Sequence, residues 1–242
     1  QFVYQFEAIA KLRESVSDAS SIQFFFRRQQ WHLAALLILV PLAWAFAAKG
    51  LNTGAWLGIE DTVWFWLAIG VAIGHQGVVW VVWRSQLGWS VFTNLFGRYD
   101  LLAWGLIFMP LLMARPILVV GLAIANRGSL DLPLPLSVGL GLVLLVPAVY
   151  TLWSVARYFG IPRAIGGDHF RPHYRTMPLV RQGAFAWSGN AMYAFAFLGL
   201  WSIALLIGSQ AALGVALFQH AYIWVHFYCT EAPDMDFLYG QN

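Results

Sequence analysis

Six long runs of apolar residues constrain this chain more than anything else in it: Trp31 to Ala48, Val63 to Trp83, Leu101 to Ala125, Leu136 to Phe159, Asn190 to Ile207 and Ala211 to Cys229. A helix that crosses the hydrocarbon core of a bilayer needs about 17 to 25 residues. Backbone polar groups in lipid must find their partners within the chain, which a helix provides. The expectation is therefore an all-α integral membrane protein with about six transmembrane helices. Composition agrees, with 60% apolar and 10% charged residues over 242 positions. Three regions follow: an interfacial amphipathic segment over 1–30, four helices over 31–159, and a loop with a helical hairpin over 160–242.

The last two runs are joined only by Gly208-Ser209-Gln210, which predicts a tight antiparallel hairpin. Its turn is almost equidistant from Asn190 and Glu231, so these two should meet at one membrane surface. The loop through Gly166-Gly167-Asp168-His169-Phe170 leads into that same surface. In the third run Arg115 stands between Ala114 and Pro116. An Arg at mid-depth costs about 2.5 to 3.5 kcal/mol, so it snorkels, pairs, or marks an earlier end near Ala114, the last being the favoured reading.

Charge sets the orientation. Lys11, Arg13, Arg27, Arg28, Arg84, Arg98, Arg157, Arg163, Arg171, Arg175 and Arg181 fall on the side of the N-terminus, against Lys49 and Arg127 opposite. Basic residues stay cytoplasmic, which puts both termini, the Asp168 loop, Asn190 and Glu231 inside. The thirteen Trp suit interfacial belts. A single cysteine, Cys229, excludes an internal disulfide and a cysteine-based metal cluster within one chain. The net charge of +3, without a basic run, makes nucleic acid an unsuitable partner and lipid headgroups the fitting one. Residues 1–30 are too polar for a cleavable signal peptide. The oligomeric state is not readable.

Phe159-Gly160, Gly166-Gly167-Asp168-His169-Phe170, Gly183-Ala184-Phe185, Asn190-Ala191-Met192-Tyr193, Phe197-Leu198-Gly199, Glu231-Ala232-Pro233 and Leu238-Tyr239 follow one another in an order and spacing that resembles the membrane-embedded phospholipid N-methyltransferases. These are related to the isoprenylcysteine carboxyl methyltransferases. Ala191, Ala232 and His169 stand where that family has Pro, a second acidic residue or Gly, and Tyr. The resemblance implies S-adenosylmethionine as cofactor, a membrane lipid as substrate, and a cytosolic-side pocket formed at the hairpin. It implies that Glu231 holds the cofactor, with Gly139-Leu140-Gly141 as a candidate for the family's Gly-x-Gly cofactor motif, at a longer distance from Asp168 than the family has.

Methyl transfer needs placement more than acid and base. Asn190 and Tyr193 lie three apart on one helix face and can touch the cofactor's polar groups. An ethanolamine headgroup arrives as an ammonium and must lose a proton, for which Asp168, His169 and His173 are candidates. Arg171 and Arg175 are placed to pair a lipid phosphate. Trp187, Trp201 and Trp224 offer faces to a quaternary product. His220 lies about 16 Å deeper than Glu231 on one helical stripe; it either lines the lipid tail's path or bonds a neighbouring helix.

Other classes fit less well. His169 and His173 have a His-x-x-x-His spacing, but six histidines without a His-x-x-His-His box fall short of a metal-dependent membrane oxygenase, so no metal is expected. A nicotinamide-dependent reductase of the sterol-reductase type shares the C-terminal architecture, and a carboxyl methyltransferase on a prenylated cysteine shares the cofactor. A non-enzymatic scaffold would bind no cofactor at all.

Overall fold

A computed structural model of the chain describes residues 21–240. The amphipathic segment expected over the first twenty residues, with Lys11 and Arg13, lies outside the described residues. The fold is helical throughout, apart from two short paired strands, Ala55–Trp56 and Ile59–Glu60. A short helix α1 (Ile22–Phe25) leads into α2 (Gln29–Ala47); α3 (Asp61–Trp89), α4 (Val91–Phe96), α5 (Asp100–Ala125) and α6 (Leu134–Ser154) follow. The C-terminal part holds α7 (Leu198–Ile207), α8 (Gln210–His226) and α9 (Ala232–Tyr239).

Four helical stretches among the described residues are long and apolar enough to span a bilayer: 22–47, 61–89, 91–125 and 134–159. Met192–Ile207 is a shorter apolar helix. The sixth run continues from α8 through a π-helical turn, Phe227–Glu231, into α9, and its Gln219, His220 and His226 keep it less apolar.

The hairpin forms as its turn residues dictate. Gly208 takes a left-handed conformation (φ 75°) that closes α7, and the Ser209 side chain accepts from Ala212 N–H to open α8. At this end Asn126 donates to Asp61 Oδ2 at 2.9 Å, and Ser209 Oγ donates to Asn126 Oδ1 at 2.9 Å. Small residues let the helices approach closely. Ala43, Ala47, Ala68, Ala72, Ala204, Ala212 and Ala216 are all in the core, and Gly214 sits against Phe46. The outer faces carry exposed Leu33, Leu37, Leu102, Leu106, Val143 and Val146, as lipid-facing surfaces do.

Two sequence boundaries are corrected. The third span does not end near Ala114: α5 runs unbroken through Pro110, Arg115 and Pro116. Arg115 is buried because Gln219 Oε1 accepts from its Nε at 2.8 Å and Phe197 presents its ring 5.0 Å from the guanidinium. Nor does the second span end at Trp83. α3 continues to Trp89, since Arg84 is neutralised inside the protein by Asp234.

Candidate functional site

The loop after α6 depends on glycine. Gly166 has φ +85°, and a Cβ there would lie 2.5 Å from the Trp83 indole; one on Gly167 would lie 2.5 Å from the Pro162 carbonyl. Without side chains the loop lies flat on the end of α3. His169 then stacks on Trp83, with ring centroids 4.2 Å apart and planes at 24°.

Two carboxylates hold the buried imidazole. Asp168 Oδ1 is 3.1 Å from Nδ1, and Asp234 Oδ2 is 3.2 Å from Nε2. Asp168 Oδ2 also accepts from Tyr239 Oη–H at 3.0 Å, and the Asp168 carbonyl accepts from Arg175 Nε at 2.8 Å. Asp234 is paired in turn with Arg84, both fully buried. Arg84 further donates to the Thr230 carbonyl at 3.2 Å and to the Phe24 carbonyl. One chain of contacts thus joins α1, α3, the loop and α9. Burial opposes charging His169, but its two carboxylates outweigh burial and raise its pKa to about 9. For Asp168 burial is likewise outweighed, by His169 and Tyr239, and its carboxyl is held below the usual value.

Glu231 closes the π-helical turn and is half-buried. It accepts the Tyr193 phenol proton, which joins the two arms of the hairpin at the end away from the turn. Tyr193 stands edge-on to Trp224 at 6.0 Å and to Phe227 at 5.9 Å. Burial pushes the Glu231 carboxyl up to about 7; Tyr193 works against that, Asp168 and Asp234 add to it, and His169 opposes it. Asn190 precedes Tyr193 by one turn; its backbone N–H donates to Ser188 Oγ at 3.1 Å. A carboxyl group titrating near neutrality beside aromatic faces is suited to a cation that also bears hydroxyl groups.

Not every residue singled out from sequence comes to this place. His173 is exposed on a single turn, Pro172–Arg175, with its ring 3.9 Å from that of Tyr174. Arg171 is forked onto Asp100, with one nitrogen 2.8 Å from Oδ2 and the other on Oδ1, so it is not an unengaged phosphate ligand. Trp187 is 60% exposed and packs on Tyr150 and Phe195. His220 lies parallel to the Phe197 ring at 5.7 Å and edge-on to Trp201, which joins α8 to its partner helix.

Gly139 and Gly141 sit within α6 beside the far end of α7. There Ser202 Oγ donates to the Gly141 carbonyl at 2.8 Å, and a Cβ on Gly141 would meet Leu206 at 2.8 Å. From Tyr193 to Leu206 the helical rise is about 20 Å, so this Gly-x-Gly is a helix-packing feature and not part of the Glu231 site. His169 is also corrected as a proton acceptor, because both its nitrogens are engaged by carboxylates and it is held protonated at neutral pH. Sequence reading missed Arg84, Trp83 and Asp234. The available signal was a charge flush against an apolar run at Arg84.

An apolar groove of about 810 Å³ runs beside the site along α5, past Leu102, Leu106, Met109 and Met113, with Arg98 and Arg171 at its head.

The family model described as phospholipid methyltransferase matches residues 136–242. Neither the curated proteins nor the solved structures contain a match to the chain. The matched residues include the Asp168 loop, Asn190, Tyr193, Glu231 and Asp234, and leave residues 1–135 outside. Residues 136–242 thus match a family of membrane enzymes, the phospholipid methyltransferases, that draw their methyl group from S-adenosylmethionine.

Proposed function

We propose that the protein methylates the amino headgroup of phosphatidylethanolamine or its partly methylated derivatives. The observation that carries this reading is the Tyr193–Glu231 contact, formed inside the matched region at the hairpin end and flanked by an arginine-headed apolar groove. The six-span arrangement, with both termini and this site on the cytoplasmic face, is supported by the excess of basic residues at the same end.

S-adenosylmethionine supplies a methyl carbon on a sulfonium, open to displacement by an amine lone pair. Glu231 and Asn190 would hold the cofactor's amino and hydroxyl groups, and Tyr193 with Trp224 and Phe227 would face its positive charge. The lipid's phosphate would lie near Arg98, with acyl chains along α5. The Asp168–His169–Asp234–Arg84 chain acts as a positioning device: it fixes the loop against α3 and α9. None of Asp168, His169 or His173 takes the ammonium proton in this reading. The acceptor reacts from its own neutral fraction, which grows with pH because a primary ammonium titrates near pH 10.

The test is methyl transfer from labelled cofactor to phosphatidylethanolamine, its monomethyl derivative and a prenylcysteine analogue in parallel. Transfer to the two lipids is expected, with a rate that rises about tenfold per pH unit below the amine pKa. Transfer to the prenylcysteine alone would reject the phospholipid reading.

A further inference from the structure

Arg115 lies about 22 Å along α5 from its first residue, deep within the bundle and only 3% exposed. Among the described residues no carboxylate comes within ion-pair distance of it. Its hydrogen-bond partner is the neutral Gln219, and one of its terminal nitrogens has no partner. A buried guanidinium without a counter-charge is a costly arrangement, and such charges inside a membrane mark ligand or ion sites.

The same residue lines an interior cavity of about 260 Å³. Into it face three further groups that are at least nine-tenths buried and lack partners: both ring nitrogens of His75, Nδ1 of His226 and Nε1 of Trp83. Apart from Gln76 and from Tyr193, whose phenol is held by Glu231, the rest of the wall is apolar. This pattern, an apolar chamber with a few convergent polar groups, is that of a small-molecule site. The cavity shares Met109, Met113, Ile161 and Ile165 with the lipid-facing groove along α5, so chamber and groove adjoin. It is too small for a whole phospholipid headgroup and glycerol, but it accommodates a carboxylate and the first carbons of one chain. Arg115, His75 and Trp83 all precede residue 136, so the family match does not bear on them.

We propose that this chamber binds a single-chain amphiphile with a carboxylate head, of the fatty-acid class. The carboxylate sits on Arg115 with His75 and His226 around it, and the chain leaves between Met109, Met113, Ile161 and Ile165 into the groove. The chamber reaches the proposed cofactor site at Tyr193, but the inference does not rest on the methyl-transfer reading, because its test reads binding alone.

Purified full-length protein in nanodiscs of neutral phosphatidylcholine is titrated with radiolabelled myristate, with tetradecanol as competitor and as labelled ligand in a second series. The two probes carry the same chain, so partition into the bilayer is shared and the preference reports the head. Myristate is expected to bind at least about tenfold more tightly, as a charge-assisted contact provides. Arg115→Gln removes that preference, and Arg115→Lys, which keeps the charge, retains most of it. Equal binding of myristate and tetradecanol to the unaltered protein would overturn the proposal whether or not the Gln variant folds. So would an Arg115→Gln protein that keeps the preference. Failure of the methyl-transfer assay leaves this result untouched.

Discussion

With Glu231 as the proposed cofactor ligand, its carboxyl, raised to about 7 by burial, would make cofactor affinity a function of pH with a definite sign. A neutral carboxyl offers little to a cation, and an ionised one offers a charge-assisted contact. With a pKa near 7, about one-tenth of the sites are ionised at pH 6 and about nine-tenths at pH 8, so affinity for S-adenosylmethionine should rise about tenfold over that interval. The linked expectation is release of almost one proton per cofactor bound at pH 6 and almost none at pH 8. Glu231→Gln keeps the shape and a hydrogen bond to Tyr193 but removes the charge. Its affinity at pH 8 should fall about 10- to 150-fold, the loss of one charge-assisted bond of roughly 1.5 to 3 kcal/mol, and Glu231's contribution to the pH dependence should vanish. Titration calorimetry in two buffers of different ionisation enthalpy reads both quantities. The cofactor's own titration is common to both proteins and cancels in the comparison. Unchanged affinity at pH 8, or undiminished proton release in the variant, would refute the assignment of Glu231 as the cofactor's carboxylate.

Asp234→Asn leaves Arg84 and the His169 imidazolium without their shared counter-charge in a fully buried place; about 3 to 5 kcal/mol of stability should be lost, measured by thermal unfolding in detergent, and a loss under about 1 kcal/mol would contradict a seated pair. His169 has a folded pKa of about 9 against 6.5 unfolded, so its contribution to stability is complete below about pH 6.5 and disappears as pH rises through about 9. A melting series over that range should show a decline that His169→Gln abolishes. For topology, a single cysteine at exposed Leu179, in a chain whose Cys229 is replaced by Ser, should react with an impermeant reagent only from the cytoplasmic side.

Much of the architecture is written in local sequence, because apolar run length and turn chemistry act over a few residues. Gly208-Ser209-Gln210 announces the hairpin, and the hairpin alone brings residue 193 to residue 231. What escaped reading is settled by partners far away in the chain. Arg115 looks like the end of a span until Gln219 is beside it, 104 residues on. Arg84 looks like the first residue of a loop until Asp234 is found. Arg171 reads as an available cation, and only Asp100, 71 residues earlier, shows it engaged. A Gly-x-Gly in an apolar helix has the same spelling whether a nucleoside or a neighbouring Leu206 lies against it.

The family match begins at residue 136, yet the candidate site within it depends on residues that come before. Trp83 provides the face on which His169 lies, and Arg84 supplies the charge that Asp234 needs. Arg84 also ties the Phe24 and Thr230 carbonyls together, while Gln29 donates to the Cys229 carbonyl and to Thr230 Oγ1, both at 3.2 Å. The contacts to Cys229 and Thr230 fall on the π-helical turn that presents Glu231. A widened turn of this kind leaves the regular hydrogen-bond ladder out of register, and its carbonyls are taken by side chains from α2 and α3. A C-terminal fragment limited to 136–242 would therefore leave Asp234 buried without its cation and the Glu231 turn without its clamps. The N-terminal helices, although outside the family match, are a structural part of the site.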